Sequence, residues 1–400
     1  MVFAEGVHRL LQVVRYQELI ALNASATSNS ITGYQGRSPW LVRIGEAAIP
    51  ALIKAVSERQ GRERLGAVRA LRRILQDIPS KQAFPVLLEA FKDEDEKVRE
   101  VVAGALGEIG DGSAVPALVQ ALGDKNDEVR GAASFSLYCL RAAAFPTLIE
   151  GLRSPATKVR RNVVKLLGEI RNPEAIPALM TTAKDADAGV RLDVIHALRE
   201  FELGNVLPTL LDFLDDCDAT VRLEAFESIG DSQDPRLFEA SMRMIKDNDG
   251  SIRLCAVHAL GRFKRSEALP VILEALSDQN VYVRVQAADV LGIIGNQVAG
   301  PALTKALKDQ HEYVRLAAIR ALGRLSDMAS VPALIKILEV QEGQLQEYAA
   351  EALGNIGDRT AVPTLIKVLR SENVYSQAAI VIALGKIGDP VAIPALYAGT

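Results

Sequence analysis

A Val-Arg or Ile-Arg pair recurs at Arg99, Arg130, Arg160, Arg191, Arg222, Arg253, Arg284 and Arg315, with seven successive intervals of 31 or 30 residues. A fixed period of this size is the signature of a repeat architecture, in which each unit is one supersecondary motif stacked on the next. A second series, of prolines, keeps constant phase with the first: Pro50, Pro85, Pro116, Pro146, Pro177, Pro208, Pro270, Pro301, Pro332, Pro363 and Pro394, with Glu239 where a further member is due. Each unit reads as Gly-Asp, an apolar stretch opened by proline such as AVPALVQAL, a short acidic turn, and a second stretch such as VREVVAGALGEIG. Proline is tolerated in the first helical turn, where its missing N–H has no partner to lose. Asp95, Asn126, Asp187, Asp218, Asp249 and Asn280 lie three residues before the Val or Ile, where a side-chain oxygen can cap the second helix. The unit is therefore a helix hairpin. A hairpin cannot bury its apolar face alone, so stacking predicts an all-α, right-handed solenoid of about eleven units with a concave binding surface.

Residues 46–400 are expected to form this solenoid, and residues 1–45 a non-repeat cap made of a helix through Leu22 and a loop ending in GYQGRSPW. The pattern weakens at both ends: Gln346 and Gln377 replace the Arg, and Arg64 precedes its neighbour by 35 residues. The N-terminal stretch has charges every few positions, so neither a signal peptide nor a membrane span is expected, and the cytoplasm is the expected compartment. Cys139, Cys217 and Cys255 suit reduced thiols better than a disulfide framework. A formal charge of −4 speaks against nucleic acid as a partner. Zinc spacing, phosphate loops and hydrolase elbows are missing from the sequence, and the lone His311-Glu312 dyad does not make a di-iron centre, so no metal or cofactor is expected.

On a helical wheel, positions two, five and nine residues after the Arg are expected to face the groove. In the middle units these are Asp193, His196 and Glu200; Glu224, Glu227 and Asp231; Cys255, His258 and Arg262; Gln286, Asp289 and Ile293; and Ala317, Arg320 and Arg324. Cys255 and His258 share a helix face, where a histidine can favour the thiolate; solvated groove residues are the plainer reading of His196 and His258. His311 falls at a helix-cap position, and His8 has no partner in sequence.

The units GDGSAVPALVQALGDKNDEVRGAA and GDRTAVPTLIKVL resemble the short HEAT repeats named for phycobilisome lyases, over roughly residues 46–400. Together with the GYQGRSPW leader and a groove holding Cys, His, Asp and Arg, the chain resembles the E/F-type phycobilin lyases, in particular single-chain members that attach phycoerythrobilin and in some cases isomerise it to phycourobilin. The resemblance implies an enzyme that joins a linear tetrapyrrole, as substrate, by a thioether to a Cys of a phycobiliprotein α or β subunit. For such a reaction Cys255, His258 and Asp289 are the candidate catalytic residues, the last two as an acid/base pair. Arg262, Arg320 and Arg324 are candidates for the propionates. Asp193 and His196 are further groove contacts, and Phe135, Ile293 and Tyr348 are covers for the rings. Tyr34, Arg37 and Trp40 contact the bilin or cap the solenoid. The chain has Cys-Ala-Val-His where phycoviolobilin-forming lyase-isomerases carry a His-Cys motif, so family catalytic residues do not transfer position by position. The competing expectation is a non-catalytic HEAT-repeat adaptor acting on phycobilisomes or other proteins.

Overall fold

The computed structural model describes residues 39–75, 80, 82–230, 232–340, 343–370 and 376–398. Tyr34, Arg37, the Trp40 side chain and Asp231 lie outside the described residues, as does the expected N-terminal cap up to residue 38. Among the described residues there are 23 α-helices and no strand, arranged as consecutive hairpins. The first helix, Pro39–Glu58, runs across the expected boundary at residue 45. The chain divides into two compact units, Met1–Glu202 and Leu203–Thr400.

One repeat shows why the sequence folds this way. The helix Glu96–Ile109 ends on Gly110 at φ 73°, a left-handed conformation that glycine adopts without cost. Asp111 then accepts the N–H of Ser113 and starts a single 3₁₀ turn, Gly112–Ala114, which passes directly into the first helix Val115–Ala121. After the turn, Asn126 accepts the N–H groups of Glu128 and Val129 and begins the second helix Asp127–Cys139. All six predicted caps make such bonds. His311 also sits at the cap position but caps nothing, and its ring lies 5.5 Å from that of Tyr313. Three second helices end on a non-glycine residue with positive φ, at Arg171, Lys264 and Ser326.

The proline series is only partly a helix-start signal. Pro116, Pro177, Pro270, Pro301 and Pro363 do open their helices, but Pro50, Pro146 and Pro208 lie inside theirs. Around Pro146 and Pro208 the helix begins early, at Arg141 and Leu203, so the proline falls one turn in. Where Glu239 breaks the series, Pro235 opens the helix instead, behind the cap of Asp234.

Two residues after each of most of these prolines comes the centre of the core: Leu118, Leu148, Leu179, Ile272, Leu303, Leu334 and Leu365 have no exposed surface. The second helices approach one another through small residues. A Cβ on Gly323 would fall 2.9 Å from the Cα of Ala352, and one on Gly354 would fall 2.7 Å from that of Ala383.

The recurring arginine has a structural task. Arg99 forks onto Asp124 through Nε and Nη2, at 2.8 and 2.9 Å, while its Nη1 donates to the carbonyls of Asp93 and Glu94. Asp124 belongs to the turn of the next repeat and also accepts the N–H of Asn126. The same rung recurs as Arg160–Asp185, Arg222–Asp247, Arg253–Asp278 and Arg284–Asp309, and the displaced Arg64 reaches Asp93 through Nη1 alone. Burial pushes these carboxyls up, but the arginine and backbone hydrogen bonds outweigh it and hold Asp93, Asp124, Asp185, Asp247, Asp278 and Asp309 below the usual carboxylate range. Where Gln346 replaces the arginine, its amide donates to the Leu338 carbonyl and its oxygen accepts from the Ser376 hydroxyl, a neutral substitute for the rung.

Candidate binding faces of the second helices

Each compact unit has its own hollow on the second-helix face. In the first, a space of about 960 Å³ is bordered by Phe135 and Tyr138 of Asp127–Cys139, Lys165 and Glu169 of Thr157–Ile170, and Asp193 and His196 of Ala188–Leu198. In the second, a space of about 320 Å³ is lined by Phe226, Glu227, Cys255, His258, Arg262, Phe263 and Gln286.

Along the three rows the exposure differs. Five and nine residues after the arginine, Phe135, His196, Glu200, His258, Arg262, Ile293 and Arg324 are exposed. Two residues after it the row is mixed: Ala317 has no exposed surface and Asp193 retains 4%, whereas Glu224, Cys255 and Gln286 are half-buried. Asp193 borders the first hollow with its carboxylate already paired. It receives Arg161 Nε at 2.6 Å and Lys165 Nζ at 3.6 Å, both from the preceding repeat. A carboxylate at this depth is retained because it is paired, and two cations pair it.

Cys255 occupies the same row and is half-buried. Burial pushes its thiol up, and the negative charges of Glu227 and Asp249 push it further. The groups acting on the sulfur are thus its burial and two carboxylates, and His258 is not among them. His258 itself is exposed, with Nδ1 3.2 Å from the amide nitrogen of Gln286.

Asp289 lies one repeat further on, and its hydrogen bonds go elsewhere. Both its oxygens accept from Arg320 Nη2, at 3.1 and 3.0 Å, and Arg324 Nη1 stands 3.9 Å away. The Arg320 guanidinium in turn lies 5.8 Å from the Tyr348 ring centroid. The structure thus brings Cys255, His258 and Arg262 to one hollow, binds Asp289 to Arg320 and Arg324, and places Asp193 and His196 in the first unit. Among the described residues no cluster of three or more His, Cys, Asp or Glu side chains could hold a metal ion.

Sequence reasoning missed three features. The ion pair Arg171–Glu200 stands beside the first hollow. Tyr138 sits where most units have the packing glycine, eight residues after the arginine, and that break in the glycine series was its available signal. The rung aspartates, 25 residues after their arginines, form a third periodic series that could have been counted like the other two.

Comparison with known proteins bears on the fold. No curated protein matches the sequence. Kap121p, at 15% identity, aligns with 95% of this chain at a TM-score of 0.56, the match covering 48% of Kap121p. Kap121p bound to Nup53p aligns with 91% of the chain at a TM-score of 0.52 and 17% identity, over 47% of its own length. An engineered protein at 20% identity gives a TM-score of 0.37, with 85% of this chain and 99% of that one covered. The chain thus spans about half the length of Kap121p, and at these identities the likeness is one of fold: an α-solenoid of stacked hairpins. No described helix is long and apolar enough to cross a membrane. The profile of HEAT repeats matches residues 49–137, 145–230, 207–278, 269–345 and 331–400, and the chain belongs to the HEAT-repeat family.

Proposed function

We propose that the chain is a protein-binding scaffold that holds a partner segment along its second-helix faces. One observation carries this reading: among the described residues, the polar groups there form pairs spread across consecutive repeats. Lys165 with Asp193, Arg171 with Glu200, Gln286 with His258, Arg320 with Asp289 and Lys386 with Asn355 each join one repeat to the next. A surface of this kind offers side-chain hydrogen bonds and mixed charge at regular spacing, which suits a chain laid across several repeats. That Kap121p has been crystallised with Nup53p and with the extreme C-terminus of Cdc14p is in keeping with it.

The second reading is the bilin lyase, possibly a lyase-isomerase, acting on a phycobiliprotein subunit. What favours it is the size of the first hollow and its aromatic border, which suit a linear tetrapyrrole. What weighs against it is the raised thiol of Cys255 and the engagement of Asp289 with two arginines. Co-expression with phycoerythrobilin synthesis and tagged phycoerythrin subunits separates the two. The scaffold reading expects no covalent pigment on any subunit under denaturing conditions, and partner binding that survives Cys255→Ala and His258→Ala. Covalent pigment that disappears with Cys255→Ala would replace it with the lyase.

A further inference from the structure

Five arginines of the periodic series share one geometry. In Arg99, Arg160, Arg222, Arg253 and Arg284, Nη1 donates to the carbonyls five and six residues earlier. Their Nε and Nη2 donate to the two oxygens of one aspartate at 2.7 to 3.0 Å. Arg315, in the first turn of the helix Glu312–Leu325, makes the inner half of this arrangement unchanged: Nη1 donates to the carbonyls of Asp309 and Gln310 at 2.9 and 3.2 Å. Its outer half ends differently. The residue 25 places on is Val340, which cannot accept, and Nε and Nη2 have no hydrogen-bond partner among the described residues. At Arg130, where the residue 25 places on is Pro155, Nη2 turns to Asp127; Glu312, at the same place before Arg315, makes no such ion pair. Large apolar side chains stand open along the same turn edge: Val340 is 66% exposed, Tyr313 62%, and Tyr282, at the equivalent place in the preceding repeat, 65%.

We propose that Arg315 is the docking point for an Asp or Glu side chain of a partner protein, which completes in trans the rung that five other repeats complete internally. The inference lies outside the second-helix faces and does not rest on that reading. The guanidinium is held against the backbone by the same pair of carbonyls as in the five rungs, so its remaining N–H groups are already oriented for a bidentate acceptor. The acceptor that this orientation takes elsewhere in the chain is a carboxylate, at Asp124, Asp185, Asp247, Asp278 and Asp309. The acidic turn does not prevent such binding, because Arg253 binds Asp278 with Asp247 and Asp249 also acting on it. Val340 and Tyr313 offer apolar contact to neighbouring residues of the partner, and such contacts keep water from an ion pair.

The test is selection of a random dodecapeptide display library on the full chain, with removal of peptides that also bind the Val340→Asp variant, and fluorescence anisotropy of the survivors carrying a fluorescein label. Val340→Asp supplies an acceptor within the chain and leaves Arg315 in place, so it closes the site while keeping the fold. Survivors are expected to share one Asp or Glu, and replacing it by Asn or Gln should weaken binding about tenfold or more. The loss should be as large in Arg315→Ala and in Arg315→Lys, which keeps the charge but not the fork, with the helical circular dichroism of the parent retained. Survivors that bind Arg315→Lys as tightly as the parent, or that need no Asp or Glu, would overturn the proposal. So would a selection from which no peptide survives. None of these outcomes bears on the second-helix faces, whose partner is sought separately.

Discussion

The repeats that carry an arginine rung and those that lack one use the same hairpin but hold it to its neighbour differently. At Arg253, three nitrogens reach Asp278 and the carbonyls of Asp247 and Asn248, and only 8% of the side chain is exposed. At Arg130 the residue 25 positions later is Pro155, so the guanidinium turns to the exposed Asp127 of its own helix and to the Asp124 carbonyl. At Arg315 the corresponding residue is Val340, which is left exposed, while Arg315 reaches the carbonyls of Asp309 and Gln310. A rung thus couples a helix to the turn of the following repeat, whereas a repeat without an acceptor keeps only the local half of the arrangement. Apolar packing and the Gly–Ala approach suffice to stack the hairpins; the rung adds a charged tie at chosen joints.

Acid should dismantle that difference altogether. The rung carboxyls are held below their usual value of about 3.9, so the stability they give is fully present above that pH and is lost as pH falls through the lower folded values. Circular dichroism against pH should show helicity constant near neutrality and lost below about pH 4. An acid transition unchanged after Asp278→Asn and Asp309→Asn would remove the rungs as its cause.

Cutting one rung comes next in size. Asp278→Ala leaves Arg253 largely buried without its carboxylate and should cost about 3 kcal/mol in urea unfolding. Arg130→Ala, at a joint with no rung, should cost only about 1 kcal/mol, the scale of its hydrogen bond to a carbonyl. Equal losses for the two would mean that the rungs add nothing beyond their local bonds. The smallest effects are gains. Lys264→Gly relieves a left-handed residue at φ 49° and should stabilise the second unit by about 1 kcal/mol. Val340→Asp, which offers Arg315 an acceptor at the rung spacing, should stabilise by at most about 1 kcal/mol, read as a shift in thermal midpoint.

Much of the fold was legible because its signals are local. The caps at Asp95 and Asn280 bond to N–H groups two residues away, and Gly110 and Gly357 close helices that precede them directly. The site was less legible. Asp193 and His196 stand three residues apart on one helix, yet one is buried beneath Arg161 and Lys165 and the other is exposed. A wheel drawn for a single helix cannot distinguish them, since the covering side chains come from the preceding repeat. Cys255 taught the same lesson in electrostatics: His258 is its neighbour in sequence, but Glu227 and burial set its thiol.

By itself the sequence determined the hairpin, its period, its caps and its core positions, because each depends on hydrogen bonds and apolar spacing within about one turn or one helix. The tertiary structure alone decided which charged groups neutralise one another, which residues of the second helices are covered, how the repeats divide into two compact units, and where exposed aromatic rings meet an open hollow. Those outcomes depend on what the adjacent repeat brings into contact across some 25 to 32 residues of chain, where burial and charge act through space and not along the sequence.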